Sequence, residues 1–251
     1  MLYAPIIDKI YSARLRKINE ANRVERYVGH ETKLHASKAG RCILLQQYDT
    51  NPDIAPKPID DKLMRLFRLG DLVHEDVQDA VIEIYNEGGF PNTQILIERE
   101  INIERWNVRG FFDLAFYHKD SGLLELVDIK TAATYSWQKL FGRDRKASNG
   151  WYEKQIMTYG IGIEEGNLVD GEIKDILHSN SYYKKETSEM KHLPISTNEW
   201  RQPTVEYWET VAGMIGENLV AGDDYGCPFY SFECGYCDYS HICSSPHIKK
   251  R

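Results

Sequence analysis

Arg109-Gly110-Phe111-Phe112-Asp113 and, fifteen residues after that aspartate, Asp128-Ile129-Lys130-Thr131 are the two short runs on which the fold turns. Val108 to Tyr117 and Leu123 to Ile129 read as strands, and Lys119-Asp120-Ser121-Gly122 between them reads as a tight turn, so the pair forms an antiparallel hairpin. Asp113 and Asp128 are nearly equidistant from the turn centre, which sets them opposite one another. Side chains two apart on a strand share a face, so Lys130 joins the two carboxylates while Ile129 enters the core. Adjacent carboxylates repel, and a hard divalent cation such as Mg²⁺ or Mn²⁺ relieves the repulsion by taking oxygens from both. A lysine beside such a cation supplies positive charge where a phosphorane develops negative charge.

The flanking sequence supplies helices around this sheet. Pro5 to Val28 has apolar residues at helical intervals and ends at Gly29; Ser37 is placed to cap a short helix beginning near Cys42; Asn51 to Pro58, with its prolines, is a loop. Asp60 to Glu87 shows the clearest helical stripe, with Leu63, Leu66, Phe67, Gly70, Val73, His74, Val77, Val81 and Ile84 on one buried face. Gln94 to Glu104 alternates as a strand, on which Glu98 and Glu100 read as surface charge. A helix over Trp151 to Ile161, a strand over Asp175 to Lys184 and a helix over Thr204 to Val220 lead to a cysteine-rich tail. The order predicts an α/β chain with a mixed sheet flanked by helices. It forms one domain over 1–251, divided into an N-terminal helical segment (1–59), a core (60–200) and a C-terminal helix with its tail (201–251).

Composition narrows the class. With 42% hydrophobic and 27% charged residues over 251 positions the chain is that of a folded protein, and no apolar run approaches the ~18 residues of a membrane span. The N-terminus shows no signal-peptide pattern, so a cytoplasmic location is expected. The net charge of −7 argues at first against nucleic acid, yet Lys9 to Arg41 holds nine Lys/Arg against three Glu, and Lys130 to Lys154 holds six against two acids. Such runs serve either as solvated faces or as phosphate tracks. Of five cysteines, Cys227, Cys234, Cys237 and Cys243 cluster near the end and Cys42 lies far upstream; outside a secreted context clustered thiols point to a metal. Four thiolates from Cys42, Cys234, Cys237 and Cys243 suit tetrahedral Zn²⁺ or an iron-sulfur cluster equally by softness, and Cys227 reads as a free structural thiol.

Taken together, Gly110-x-x-Asp113 with Asp128-x-Lys130 resembles the core signature of the PD-(D/E)XK nuclease superfamily. Leu69-Gly70-x-x-x-His74 resembles the helix that brings a metal-binding histidine in its RecB-like branch, and Gln155-x-x-x-Tyr159 resembles the glutamine-tyrosine motif that follows there. The resemblance implies a restriction-endonuclease-like core in which His74, Asp113 and Asp128 are metal ligands, Ile129 offers its backbone carbonyl, Lys130 is the catalytic lysine, and Gln155 with Tyr159 supports it. One upstream cysteine with Cys234-x-x-Cys237-x5-Cys243 resembles the iron-sulfur exonucleases of that branch, including the CRISPR-associated Cas exonucleases and the AddB nuclease domain, and implies a 4Fe-4S cluster joining the N-terminal and C-terminal segments.

The expected activity is hydrolysis of single-stranded DNA ends in recombination, repair or spacer processing, with recombination proteins or a CRISPR integrase as partners and no membrane partner. Trp137, Trp151 and Tyr152, interleaved with Lys139, Arg143, Arg145 and Lys146, are candidates for stacking bases and tracking phosphates. A non-catalytic nucleic-acid-binding module and a zinc-stapled endonuclease are the competing readings. No phosphate loop and no nucleophile elbow occur in the chain.

Overall fold

The computed structural model describes residues 6–143, 148–217, 219 and 232–245. Among these residues the chain forms a six-stranded mixed sheet. The hairpin is present as β1 (Val108–His118) and β2 (Leu123–Ala132), with Leu114 opposite Val127 and His118 opposite Leu123. β3 (Thr93–Ile103) pairs antiparallel along the other side of β1. β4 (Asp175–Lys184) runs parallel to the whole of β2, and β5 (Met190–Ile195) returns beside it. A two-residue strand, β6 (Leu34–His35), pairs parallel with the start of β1 at Val108 and Arg109.

The decisive feature is a fork. The β1–β2 ladder ends at Leu114 and Val127; beyond it β2 continues against β4 alone, while β1 continues between β3 and β6. The register carried one step past the last pair sets Asp113 against Asp128, so both carboxylates stand where the sheet opens.

Helices cover the sheet. α1 (Ile7–Tyr27) packs on α2 (Asp61–Asn86), which leans on β1 and β2; α3 (Trp151–Gly166) and α4 (Thr197–Met214) pack together over the sheet. The core lies there: Ile156, Met157, Ile161 and Ile163 of α3 join Ile101, Phe112, Leu126 and Trp208 in one buried cluster. Gly160 permits the close approach of α3 to β4, since a Cβ there would stand 2.3 Å from His178 Nε2. Short helices complete the chain: α5 (Ile43–Asp49), α6 (Thr134–Phe141) and α7 (Glu233–Tyr236).

Several local expectations are corrected. Ser37 lies inside a 3-10 turn, Ala36–Lys38, and Cys42 itself occupies the N-cap position of α5. α4 starts seven residues before the expected Thr204, because Ser196 caps it by accepting from Glu199 N at 3.3 Å, and Pro203 is carried inside the helix. β5 was hidden by Pro194, which an edge strand tolerates. The α2 stripe is not buried as a whole: Leu63, Leu66, Phe67 and Ile84 are exposed, His74 is half-buried, and Met64 and Gln78 are the buried positions. α2 comes to the sheet through Gly70, His74 and Gln78, and Leu66 and Phe67 of its N-terminal half stay open. Among the described residues no helix is long and apolar enough to cross a membrane.

Candidate metal-dependent active site

At the fork, Asp113 replaces the backbone partner that β2 loses. Its Oδ2 accepts from Ile129 N at 2.6 Å, and its Oδ1 lies 3.4 Å from His74 Nδ1, presented by α2. Ile129 buries its side chain, as strand alternation requires. Gly110 is demanded by close approach: a Cβ there would stand 2.6 Å from Ala36 Cβ and 3.0 Å from the Tyr159 ring.

Lys130 lies on the same face as Asp128, with Nζ 2.5 Å from Asp128 Oδ2. It donates to Gln155 Oε1 at 3.1 Å, and Gln155 Nε2 donates to Tyr159 Oη at 2.9 Å. The lysine, glutamine and tyrosine expected from separate motifs therefore form one chain of hydrogen bonds between β2 and α3. Gln155 and Tyr159 are one helical turn apart, which is what lets them touch.

Glu98, read from the sequence as surface charge, points into the site. Its carboxylate, with His74 and Asp113, places three ligand atoms within 4.8 Å of one another. Gln78 secures it, donating from Nε2 to Glu98 Oε1 and to the Asp113 carbonyl, each at 3.1 Å. Ile97 pairs with Leu114 and Arg99 with Phe112, so Glu98 directly faces Asp113, but that one pair is missing from the ladder and Glu98 adopts φ 47°. The register arithmetic that joined Asp113 to Asp128 would have found Glu98 too, had the short 3-10 connection Glu104–Trp106 been legible. Glu100 is held by Arg109 in a two-point pair at 2.7 and 3.0 Å.

The electrostatics favour a cation. Burial pushes the Asp128 carboxyl up, Lys130 pulls it the other way, and Asp113 raises it further. Asp128 Oδ2 is buried and, although paired in charge with Lys130, has no partner at hydrogen-bond geometry. Burial opposes the His74 and Lys130 cations, but Asp113 outweighs it at His74, and Asp128 with Asp113 outweighs it at Lys130, so both pKa values rise. Burial beside the same carboxylates holds the Tyr159 hydroxyl protonated. Three converging oxygen and nitrogen donors beside a second buried carboxylate fit a hard divalent ion. The cavity over them measures about 370 Å³ and is walled by His35, Arg109 and Phe111 on one side and by Asp71 and Glu75 on the other.

The cysteines also converge. Cys42 N donates to Glu233 Oε2 at 3.3 Å, Tyr239 Oη to Asp49 Oδ1 at 2.9 Å, and Lys57 N to the Asp238 carbonyl at 2.8 Å, so the segment after β6 is bound to the tail bearing Cys234, Cys237 and Cys243. All four thiols are free, and burial pushes Cys42 up to about 12 and raises Cys237. Among the described residues no three of these sulfurs lie within 4.8 Å of one another. Cys227 lies outside the described residues.

Among the described residues of the expected stacking surface, the two tryptophans pack against neighbours. Trp137 is buried against Phe141, which packs on Tyr182, and Trp151 is flanked by Arg41, 4.1 Å above its ring, and by Phe232. Lys139 lies over the Tyr135 ring and Arg143 is exposed; Arg145 and Lys146 lie outside the described residues. Tyr152 alone of the named aromatics is open, 43% exposed, with Lys130 Nζ 4.9 Å from its ring centre.

Two solved structures are similar to this chain. The crystal structure of SSO0001 overlaps 96% of the chain and 98% of its own length at TM-score 0.50 and 16% identity. That of a candidate exonuclease from Eubacterium rectale overlaps 90% of this chain and 94% of its own at TM-score 0.47 and 12% identity. No curated protein matches the sequence. The profile of the PD-(D/E)XK nuclease superfamily matches residues 20–244. With the signature aspartates and lysine gathered at the fork and nearly the whole chain matched, this chain belongs to the PD-(D/E)XK nuclease superfamily.

Proposed function

We propose that the chain is a Mg²⁺- or Mn²⁺-dependent deoxyribonuclease that hydrolyses phosphodiesters at single-stranded DNA ends. The observation that carries the reading is the convergence of His74, Glu98 and Asp113 beside the Asp128–Lys130 pair in one open cavity. The residues that would hold the ion are His74, Asp113 and Glu98, with Asp128 and the Ile129 carbonyl completing the set. When bound, the ion lowers the pKa of a coordinated water and polarises the phosphate. Lys130, kept protonated by the two aspartates, faces the phosphate as a fixed cation where charge accumulates. Gln155 and Tyr159 hold that ammonium in place, and the exposed Tyr152 ring offers a base a surface to stack on.

The cysteine junction is read as the site of a 4Fe-4S cluster. The junction brings Cys42 beside the segment that bears Cys234, Cys237 and Cys243, and four thiolates are the number that such a cluster takes. Recombination, repair or spacer processing beside an integrase is the setting the iron-sulfur resemblance suggests.

End-labelled linear single strands, duplexes and closed circles incubated with Mn²⁺ test the activity. Linear single strands should be degraded and closed circles left intact, with EDTA abolishing the reaction; cleavage of the circles would sink the exonuclease reading. Anaerobic purification should give a brown protein with broad absorbance near ~400 nm. Colourless protein carrying stoichiometric zinc would overturn the cluster.

A further inference from the structure

A second, larger concavity of about 950 Å³ lies between α1 and the N-terminal half of α2, and it adjoins the catalytic cavity: Asn22 and Asp71 line both. Its floor is apolar, formed by Ile59, Leu66 and Phe67, which are 45%, 45% and 47% exposed, together with Pro56 and Pro58. Its rim is basic, with Arg16 and Arg23 from α1, Lys57 from the proline loop, and Lys185 just after β4. Thr131, the residue after the catalytic-strand Lys130, and Gly70 of α2 line the groove together with Asp71, which it shares with the catalytic cavity.

We propose that this groove is the path by which a single nucleic-acid strand enters the active site. The inference rests on the nuclease reading above and names where its substrate lies. Charge complementarity selects the occupant. Four cations stand against Glu20 and Asp71 at the rim and Asp61 beside Arg16, and the Arg23–Glu20 and Arg16–Asp61 pairs are exposed on both sides. Such pairs contribute little and yield readily to phosphate. A basic rim over an apolar floor that presents one aromatic ring, Phe67, suits a single strand, with phosphates on the cations and a base on that ring. A duplex, its bases stacked inward, gains nothing from that floor. Continuity through Asn22 and Asp71 then delivers the strand to the metal-binding side of the fork.

The groove also accounts for the exposure of Leu66 and Phe67 in the α2 stripe, while Leu63 and Ile84 are exposed outside it. The loop that carries Pro56 to Ile59 is pinned to the cysteine tail through Lys57 N and the Asp238 carbonyl, so the junction holds one wall of the path.

Binding of fluorescein-labelled oligothymidylate, read by anisotropy in EDTA over a range of salt, tests the proposal without requiring cleavage. The double variant Arg23→Glu/Lys185→Glu should bind at least roughly tenfold more weakly and flatten the salt slope by about 0.7 for each phosphate no longer neutralised. Phe67→Ala should weaken binding roughly tenfold with the slope unchanged, as loss of one stacked base requires. Lys119→Glu, whose ammonium pairs with Asp170 at the hairpin turn, should bind as wild type does. Wild-type affinity in both groove variants overturns the proposal. So does tighter binding of duplex than of single strand, or a dimer in light scattering that Phe67→Ala dissolves, which would assign the face to a second copy of the chain. Cleavage of end-labelled linear single strands with Mn²⁺ separates the two readings: a wild type that binds oligothymidylate more tightly than the groove variants do, yet never cleaves a strand, would refute the catalytic reading and leave the groove standing.

Discussion

Glu98 and Asp113 face each other across β3 and β1 at the only position between Ile97 and Ile103 where the ladder is interrupted. Glu98 takes a left-handed backbone there, φ 47°, which costs a non-glycine residue about 1–2 kcal/mol. Strain of this kind persists where the surroundings impose it, and here Gln78 holds the carboxylate toward His74 and Asp113.

Glu98→Gln should therefore weaken metal binding. Substitution of outer-shell partners typically costs about 10–100-fold in affinity, and loss of a ligand should cost at least as much. Titration of the metal-free protein with Mn²⁺, followed by calorimetry, gives the affinity; cleavage should recover in part at saturating Mn²⁺, because Asp113 and Asp128 remain. An unchanged Mn²⁺ affinity would remove Glu98 from the ligand set.

Asp128→Asn separates activity from stability. Burial raises the Asp128 pKa in the folded chain, so its ionised form is disfavoured there relative to the unfolded chain. Stability from this group is thus highest below the unfolded aspartate pKa and is lost as pH rises through the folded value. At neutral pH the amide removes that cost, while Lys130 keeps Gln155 and the nearby Asp113. The expected result is cleavage lost and the melting temperature of the metal-free protein raised by a few degrees, equivalent to ~1–2 kcal/mol for a chain of this size. A lower melting temperature would show that the pairing with Lys130 outweighs the burial of the carboxylate.

Cys42→Ser tests the junction between the chain ends. If a cluster closes the loop from Cys42 to Cys243, its loss should bleach the ~400 nm absorbance and destabilise the fold by about 5 kcal/mol, on the chain-entropy scale for cross-linking a loop longer than 100 residues. The Tyr239–Asp49 and Lys57–Asp238 hydrogen bonds are formed by other residues, so the variant should retain some attachment of the tail. A variant as stable as wild type in urea would mean that these hydrogen bonds, and not a metal group, hold the ends.

What the sequence disclosed follows the range of the interactions. The hairpin is local, its turn fixes its register, and Asp113, Asp128 and Lys130 could be placed from residue counting alone; Gln155 and Tyr159 were legible because one helical turn joins them. Glu98 belongs to a different pairing, across a connection whose 3-10 turn gave no readable register. The burial of Trp137 depends on α6 folding back over Tyr182 of β4, a contact between segments some forty residues apart. The exposed face of α2 has the same periodicity as a buried one, and periodicity reports which residues share a face without reporting what covers it.

Acid should unfold the chain partly through His178. This residue is 3% exposed in β4, its Nδ1 is 3.1 Å from Thr197 Oγ1, and its Nε2 faces Gly160 with no hydrogen-bond partner among the described residues. Thr197 donates its hydroxyl to the Ile176 carbonyl, so it accepts from Nδ1–H, and Nε2 is the bare nitrogen. Burial lowers the folded pKa to about 4, and the Arg201 guanidinium adds to the shift. A histidine with a depressed folded pKa loses stability as pH falls: above the unfolded pKa of about 6.5 it is neutral in both states, and below it the unfolded chain takes up a proton that the folded chain refuses. The loss accumulates between about pH 6.5 and about pH 4 and reaches at most ~3 kcal/mol from this residue. Urea denaturation of wild type and His178→Gln across that window should give a shallower pH dependence for the variant, whatever its stability at pH 8. Parallel curves would show that the His178 imidazole takes up its proton equally in the folded chain, and the closeness of Gly160 to Nε2 would then have to relax on protonation.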